Sequence, residues 1–137
     1  MEKHHLKKDI HVFYVTVKSF PTGIIEAFQT LEDLHPSICE RPFYGIFHQE
    51  ENGNMIYKAA VEEQYEGEGE HYHCNTFTIS KGIYLTEHIR NFMEQIEVIP
   101  DAFRKLSAEP FIDASFPCIE WYKSDTDVLC MVKLNSN

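Results

Sequence analysis

The feature that most constrains the fold of this chain is a similarity between its two halves at a fixed offset of 75 residues. One ungapped offset matches both an apolar helical stripe and the start of a strand, which is difficult to obtain by chance. We therefore predict an internal duplication; the alternative is two unrelated elements that share a common amphipathic pattern. The aligned positions are Glu26–Leu31 with Asp101–Leu106, Pro42 with Pro117, Tyr44 with Ile119, and Phe47 with Tyr122.

Local sequence patterns predict a similar succession of elements in both halves. Runs of β-branched and aromatic residues indicate strands, and apolar residues three or four positions apart indicate helices. Asn52-Gly53 is typical of a type I′ hairpin turn, in which both central residues have positive φ. The predicted elements are strands over 11–17, 43–47, 56–61, 75–79, 83–85, 117–122 and 128–132, a helix from its N-cap Thr22 to His35, and a helix after Pro100-Asp101.

These elements predict an α+β fold made by tandem duplication of a β-α-β-β unit. We expect two helices packed on antiparallel sheet, with a pseudo-twofold cleft where the copies meet. The length is that of one domain, so we expect a single domain over 1–137, with repeat 1 over about 10–65 and repeat 2 over about 74–134. Residues 62–73 have no apolar period, and we expect a linker or mobile loop there. We expect His4-His5-Leu6 to belong to a disordered start.

The charge of the chain argues against several classes of partner. Its 12 basic and 22 acidic side chains amount to a formal charge of −10, which repels the phosphates of nucleic acids. The sequence has no helix-turn-helix or basic helix, so we expect no direct binding to nucleic acid. No apolar run approaches the length of a membrane span, and the first residues lack the apolar segment of a signal peptide. The four cysteines are not closely paired, which favours reduced thiols in the cytoplasm.

Motifs for metals and cofactors are weak or absent in this sequence. His71-Tyr72-His73-Cys74 contains metal-ligand residue types, but a zinc site needs further ligands for which the sequence has no evident pair. It contains no glycine-rich phosphate loop, serine nucleophile elbow or metalloprotease pattern. We therefore expect neither a metal nor a cofactor.

The main candidate for chemistry is Glu120, which lies between Ile119 and Trp121 in a predicted strand. An unpaired carboxylate is costly to bury, so it should have a partner, a raised pKa or a ligand. The functional interpretation is a carboxylate that recognises a cation or acts as a general acid/base in an aromatic cleft. The alternative is a glutamate on a solvent-facing side of the sheet, paired with Lys133 or Lys58.

The faces of the two hairpins follow from an assumed register. With Lys123 opposite Val128, one face of the second hairpin is apolar and is predicted to pack against a helix: Ile119, Trp121, Val128, Cys130, Val132 and Leu134. The other face then contains Cys118, Glu120, Tyr122, Leu129, Met131 and Lys133. In the first hairpin, closure through Asn52-Gly53 places Phe43, Gly45, Phe47, Ala60 and Glu62 on the matching face. A cleft of this composition suits a flat or cationic organic molecule.

Three segments resemble one known family: Arg41–Ile46, Phe77–Tyr84 and, most specifically, Pro117–Tyr122. The chain is similar, over roughly residues 10–134, to the GyrI-like small-molecule-binding family, the effector-binding domains of some AraC- and MerR-type regulators. The resemblance implies a tandem strand–helix–strand–strand fold with a cleft carboxylate, here Glu120, that recognises cationic or amphipathic compounds. The chain departs from the regulators because it has no DNA-binding domain. The candidate ligand-binding residues are Glu120, Tyr122, Phe43, Phe47, Tyr84 and Met131.

Three hypotheses for function remain open from the sequence. The first is a stand-alone effector-binding domain that captures an organic, cationic or amphipathic ligand. The second, implied by hydrolases of reactive cyclopropane-containing toxins among stand-alone members of the family, is an enzyme that uses Glu120 with Tyr122 or Tyr84. The third is a protein-interaction domain, like the gyrase inhibitors of the family, that uses its acidic surface to bind a basic partner or forms a homodimer.

Overall fold

A computed structural model describes residues 1–19 and 22–135 of the chain and contains eight strands and three α-helices. The predicted α+β class is therefore confirmed. Within the described residues, no helix is long and apolar enough to cross a membrane. The elements are β1 Glu2–Leu6, β2 Ile10–Thr16, α1 Ile24–Glu32, β3 Phe43–Gln49, β4 Met55–Glu62, α2 Glu68–His71, β5 Asn75–Ile79, β6 Gly82–Ile89, α3 Val98–Ser107, β7 Cys118–Tyr122 and β8 Val128–Lys133.

The chain divides into two compact units, a first unit of Asp9–Ile79 and a second unit of Met1–Lys8 with Ser80–Asn137. In the first unit the strands pair antiparallel in the order β3-β4-β2-β5. Helix α1 packs against β4 and β2, and α2 packs against β2 and β5. Helix α1 is amphipathic, and its apolar side packs on one face of this sheet to form an apolar core. This core contains Phe13, Ala27, Leu31, Ile38, Ala59 and Val61.

The second unit also contains a strand, a helix and a hairpin in chain order. Its strands pair antiparallel as β7-β8-β6-β1, and α3 packs against β8 and β6. Ala102, Phe103 and Leu106 are the buried residues of α3. Each unit thus has a strand, a helix and a hairpin in chain order, and one further strand beside the first.

Several elements differ from those that the sequence predicted. Helix α1 has Gly23 as its N-cap, and the hydroxyl of Thr22 bonds to Ser19 instead of capping the helix. The segment expected to be a disordered start is strand β1, and part of the expected linker is helix α2. Strand β5 pairs with β2, so the segment that was expected to open repeat 2 is an edge strand of the first unit.

Candidate functional site

Glu120 lies in the middle of β7, and the pairing of β7 with β8 differs from the assumed register. Tyr122 faces Val128 and Glu120 faces Cys130, so the predicted pair Lys123–Val128 is wrong. The connection between the strands contains five residues, closed by a hydrogen bond of 3.0 Å from the Lys123 amide to the Asp127 carbonyl. A shift of one residue exchanges the faces of one strand relative to its partner.

This register changes which side chains surround Glu120. Residues directly opposite in an antiparallel pair share a face, so Glu120 and Tyr122 lie on the face of Val128 and Cys130. Met131 faces Ile119, on the other side of the sheet. The prediction that Met131 shares the face of Glu120 is therefore wrong, and so is the assignment of Ile119 and Trp121 to the side of Val128.

The face that contains Glu120 is the one on which α3 packs. Cys118 lies two residues before Glu120 and therefore on the same side of β7, and the side chain of Ser107, the last residue of α3, is close enough to act on the pKa of its thiol. The helix itself packs against β6 and β8. The prediction that the helix packs on the opposite side of β7 is therefore wrong, because it rested on the same shifted register.

The carboxylate of Glu120 is buried and hydrogen-bonded. Glu120 is 6% exposed, and the hydroxyl of Tyr122 donates to its Oε1 at 2.9 Å. The ring of Tyr122 in turn contacts Phe92, with 5.5 Å between ring centroids. A phenol that donates to a carboxylate stabilises the ionised form and restricts its orientation.

Two cysteine thiols lie beside this carboxylate. Burial raises the pKa of Cys130, and the charge of Glu120 raises it further. Burial also raises the pKa of Cys118, where the side chain of Ser107 opposes the shift and Glu120 adds to it. Both thiols are therefore neutral at physiological pH, and the surroundings of Glu120 include soft, weakly polar sulfur atoms.

Tyr84 and Met131 are not brought to Glu120 within the second unit. Met131 faces Thr86, and Tyr84 lies two residues before Thr86 on the same side of β6. Tyr84 is fully buried, and its hydroxyl donates to the Ser80 carbonyl at 2.6 Å. Lys133, opposite Tyr84, lies on the same side, so the alternative in which Lys133 pairs with Glu120 across one face is also wrong.

Phe43 and Phe47 lie in the first unit, on the face that packs against α1. Phe43 contacts the helix residue Phe28 with 5.8 Å between ring centroids, and Phe47 stacks on Tyr57 at 5.9 Å. The register of this hairpin also differs by one residue, because Phe43 pairs with Val61 and Gly45 with Ala59. Ala60 and Glu62 therefore lie on the opposite face from Phe43, contrary to the prediction.

Sequence reasoning missed Cys130, which faces Glu120 across the hairpin, and Phe92, which contacts the ring of Tyr122. Cys118 had been placed on the correct face, but without a role. The length of the second turn is the signal that decides the position of Cys130, since side chains of Ser124, Thr126 and Asp127 hydrogen-bond within it. Among residues 1–19 and 22–135, no group of three or more His, Cys, Asp or Glu is placed to hold a metal ion.

Comparison with known proteins finds solved structures of the same fold. No family model and no curated protein matches the chain. An integron cassette protein from Vibrio cholerae has a TM-score of 0.66 at 16% identity, covering 98% of this chain and 95% of that one. SAV2435, solved bound to tetraphenylphosphonium, has a TM-score of 0.64 at 13% identity over 97% and 94%. A hydrolase from Listeria innocua has a TM-score of 0.59 at 11% identity over 98% and 91%.

The TM-scores establish a common fold, and identities this low leave the activity to be argued from the site. The side chains that the second unit brings together are a buried carboxylate, a phenol that donates to it, two neutral thiols and an aromatic ring. Such a group of residues can bind an organic cation by charge and by ring contact, or it can transfer a proton.

Proposed function

We propose that this protein is a GyrI-like effector-binding module that captures a small organic cation with Glu120 as the recognising carboxylate. The observation that carries the proposal is the buried Glu120 carboxylate, oriented by the Tyr122 hydroxyl at 2.9 Å. A carboxylate buried among apolar and aromatic groups attracts a cation strongly because little water screens the charge. The tandem duplication and the family relationship are part of this proposal.

The chemistry around Glu120 favours a lipophilic cation with a delocalised charge. The neutral thiols of Cys118 and Cys130 and the ring of Phe92 beside Tyr122 supply polarisable, apolar contacts. A small, strongly hydrated ammonium ion would lose more hydration free energy on entering such a site than these contacts return. The fold shared with SAV2435, which was solved with tetraphenylphosphonium, supports the choice of this cation as the first ligand to test.

The test is a calorimetric titration of tetraphenylphosphonium into the wild type and into Glu120→Gln. Removing the charge should weaken binding by about 1–3 kcal/mol, or roughly 5- to 150-fold in Kd. A neutral compound of similar shape, triphenylphosphine oxide, should bind both proteins with nearly equal affinity.

The matched control is Glu109→Gln, which changes a solvent-exposed glutamate just beyond α3. This variant has the same change in net charge, so it should retain wild-type affinity if the effect of Glu120→Gln is local. Equal binding of tetraphenylphosphonium to wild type and Glu120→Gln would remove Glu120 from the site, and no binding to the wild type would reject this ligand class.

A second candidate function is hydrolysis of an electrophilic small molecule. The hydrogen bond between Tyr122 and Glu120 favours it, because a phenol next to a carboxylate can polarise a substrate while the carboxylate activates water. The Listeria innocua hydrolase with this fold adds support. Mass spectrometry of each bound compound separates the two functions: conversion that is lost in Glu120→Gln indicates an enzyme, and recovery of unchanged compound indicates a binding module.

A further inference from the structure

Strand β5 leaves one edge of the first unit's sheet open. It pairs with β2 over five consecutive residues, from Asn75 opposite Tyr14 to Ile79 opposite Ile10. Within the described residues no strand pairs with its other edge. Asn75, Thr76 and Thr78 are exposed, so this strand lies at the surface of the first unit.

The sequence of β5 lacks the devices that usually protect an open edge. Natural edge strands carry charged residues, proline or a bulge that prevents a second chain from pairing. The run Asn75-Thr76-Phe77-Thr78-Ile79 has no charge and no proline, and its register with β2 has no bulge. It is rich in the residue types that favour strands.

The edge strand of the second unit provides the contrast. Strand β1, Glu2-Lys3-His4-His5-Leu6, contains a charged residue of each sign and two histidines, and Lys7-Lys8 follows it. Charges on an edge discourage pairing with a second chain. The two edges thus differ in protection, although both strands are five residues long.

We infer that β5 is a self-association surface, on which β5 of a second copy pairs antiparallel about a twofold axis at Phe77. In this arrangement Thr76 of each copy faces Thr78 of the other, and Asn75 faces Ile79. An antiparallel pair of identical strands is isologous, so each copy contributes the same residues and the assembly closes as a dimer. Polar threonine pairs of this kind stabilise neighbouring antiparallel strands.

The charges beside β5 complement one another in the same arrangement. A surface hollow lined by Glu63, Glu66 and Glu70 adjoins Asn75 and Thr76 at the start of the strand. Lys81 is exposed and follows Ile79 by two residues in the sequence. In this antiparallel arrangement the start of β5 in one copy, where the hollow lies, is beside the end of β5 in the other copy, which Lys81 follows. Opposite charges therefore meet at both ends of the paired strands.

The experiment is sedimentation equilibrium of the full chain across the micromolar range, where a short strand interface is expected to associate. Thr76→Lys/Thr78→Lys places like charges opposite each other in both symmetry-related pairs, and its Kd for dimerisation should rise roughly tenfold or more. Thr76→Lys/Thr78→Glu places opposite charges in the same pairs and should restore the dimer. Gln29→Lys/Thr30→Lys, on the exposed side of α1, is the control for added charge and should dimerise like the wild type.

Thr76→Lys/Thr78→Glu still tests the inference if Thr76→Lys/Thr78→Lys fails to fold. A wild type that stays monomeric up to about 1 mM would overturn the inference. It would also be overturned by a dimer that both β5 variants leave unchanged, or by one that both variants weaken equally while circular dichroism shows them folded. Recovery of the dimer in Thr76→Lys/Thr78→Glu alone supports the antiparallel pairing about Phe77.

Discussion

Both units contain a strand, a helix and a hairpin in chain order, but their buried carboxylates have different surroundings. In the first unit, Glu68 is 1% exposed and accepts two hydrogen bonds from the Arg41 guanidinium, at 2.6 and 2.8 Å. In the second unit, Glu120 is 6% exposed and accepts a hydrogen bond from the neutral hydroxyl of Tyr122. A carboxylate that is neutralised by a bidentate arginine forms a buried ion pair with a structural role.

The Arg41–Glu68 pair explains why residues 62–73 are ordered although their sequence predicts a loop. The Arg41 guanidinium also donates to the Glu62 carbonyl and the Gln64 side chain, and the Gln64 amide donates to Glu68. One buried ion pair therefore connects the segment before β3 with both ends of the connection to α2. The carboxylate of Glu120 accepts a hydrogen bond from the Tyr122 hydroxyl, a contact that agrees with the proposed role in binding a cation.

The largest effect should come from breaking the Arg41–Glu68 ion pair of the first unit. Glu68→Gln leaves the buried guanidinium of Arg41 without its charged partner, and we expect a loss of about 3–5 kcal/mol in the free energy of unfolding. Urea denaturation measures it. Arg104→Ala is the control, since it removes an ion pair with Asp101 whose side chains are 73% and 57% exposed, and it should change stability by less than about 1 kcal/mol. An equal effect of both substitutions would contradict a structural role for Glu68.

The same ion pair predicts that the free energy of unfolding depends on pH. Burial acts to raise the pKa of Glu68, but the hydrogen bonds from Arg41 and the Gln64 amide outweigh it and hold the pKa below its usual value. A lowered pKa in the folded state contributes stability that is complete above the unfolded pKa of about 4.3 and is lost as the pH falls through the folded pKa. The difference in stability between wild type and Glu68→Gln should therefore shrink below about pH 4, and a difference that grows there would contradict this assignment.

A second prediction compares the two units at core positions that match in their helices. Leu31 in α1 and Leu106 in α3 are 75 residues apart, and both are fully buried. Leu31→Ala and Leu106→Ala should each lower the free energy of unfolding by about 2–5 kcal/mol, because each leaves a cavity beneath its helix. Ile25→Ala, at a residue that is 70% exposed, should cost much less. A small effect at one of the two leucines would show that the helices are packed unequally.

A third and smaller effect concerns the two hairpin turns, whose substitution should cost different amounts of stability. Gly53 has a φ of +89°, and an added Cβ there would meet nothing within 4 Å, so Gly53→Ala introduces backbone strain without a clash. We expect a loss of about 1 kcal/mol. The turn of the second hairpin relies on side-chain hydrogen bonds, and Asp125→Ala at its exposed tip should change stability by less than about 0.5 kcal/mol. Thermal unfolding of both variants measures the difference, and a neutral Gly53→Ala would contradict it.

Local patterns were sufficient to predict most elements and to identify the unusual glutamate. Seven of the eight strands and the two longer helices lie near their predicted positions, because apolar periods of two or near four residues reflect burial on one side. Glu120 is distinctive for the same reason, as a charged residue inside an apolar run. Strand β1 was missed because its edge position is compatible with charged and polar residues.

The sequence by itself determined which segments become strands and helices and which side chains on one strand share a face. The tertiary structure decided which faces meet across the hairpins, and thus that Cys130 rather than Met131 lies opposite Glu120. The physical reason is that β8 is apolar on both sides. A shift of one residue therefore exchanges one apolar face for another, and the sequence of β8 does not distinguish the two registers. Hydrogen bonds within the turn and the packing of α3 select one register, and both depend on residues outside the strand that contains Glu120.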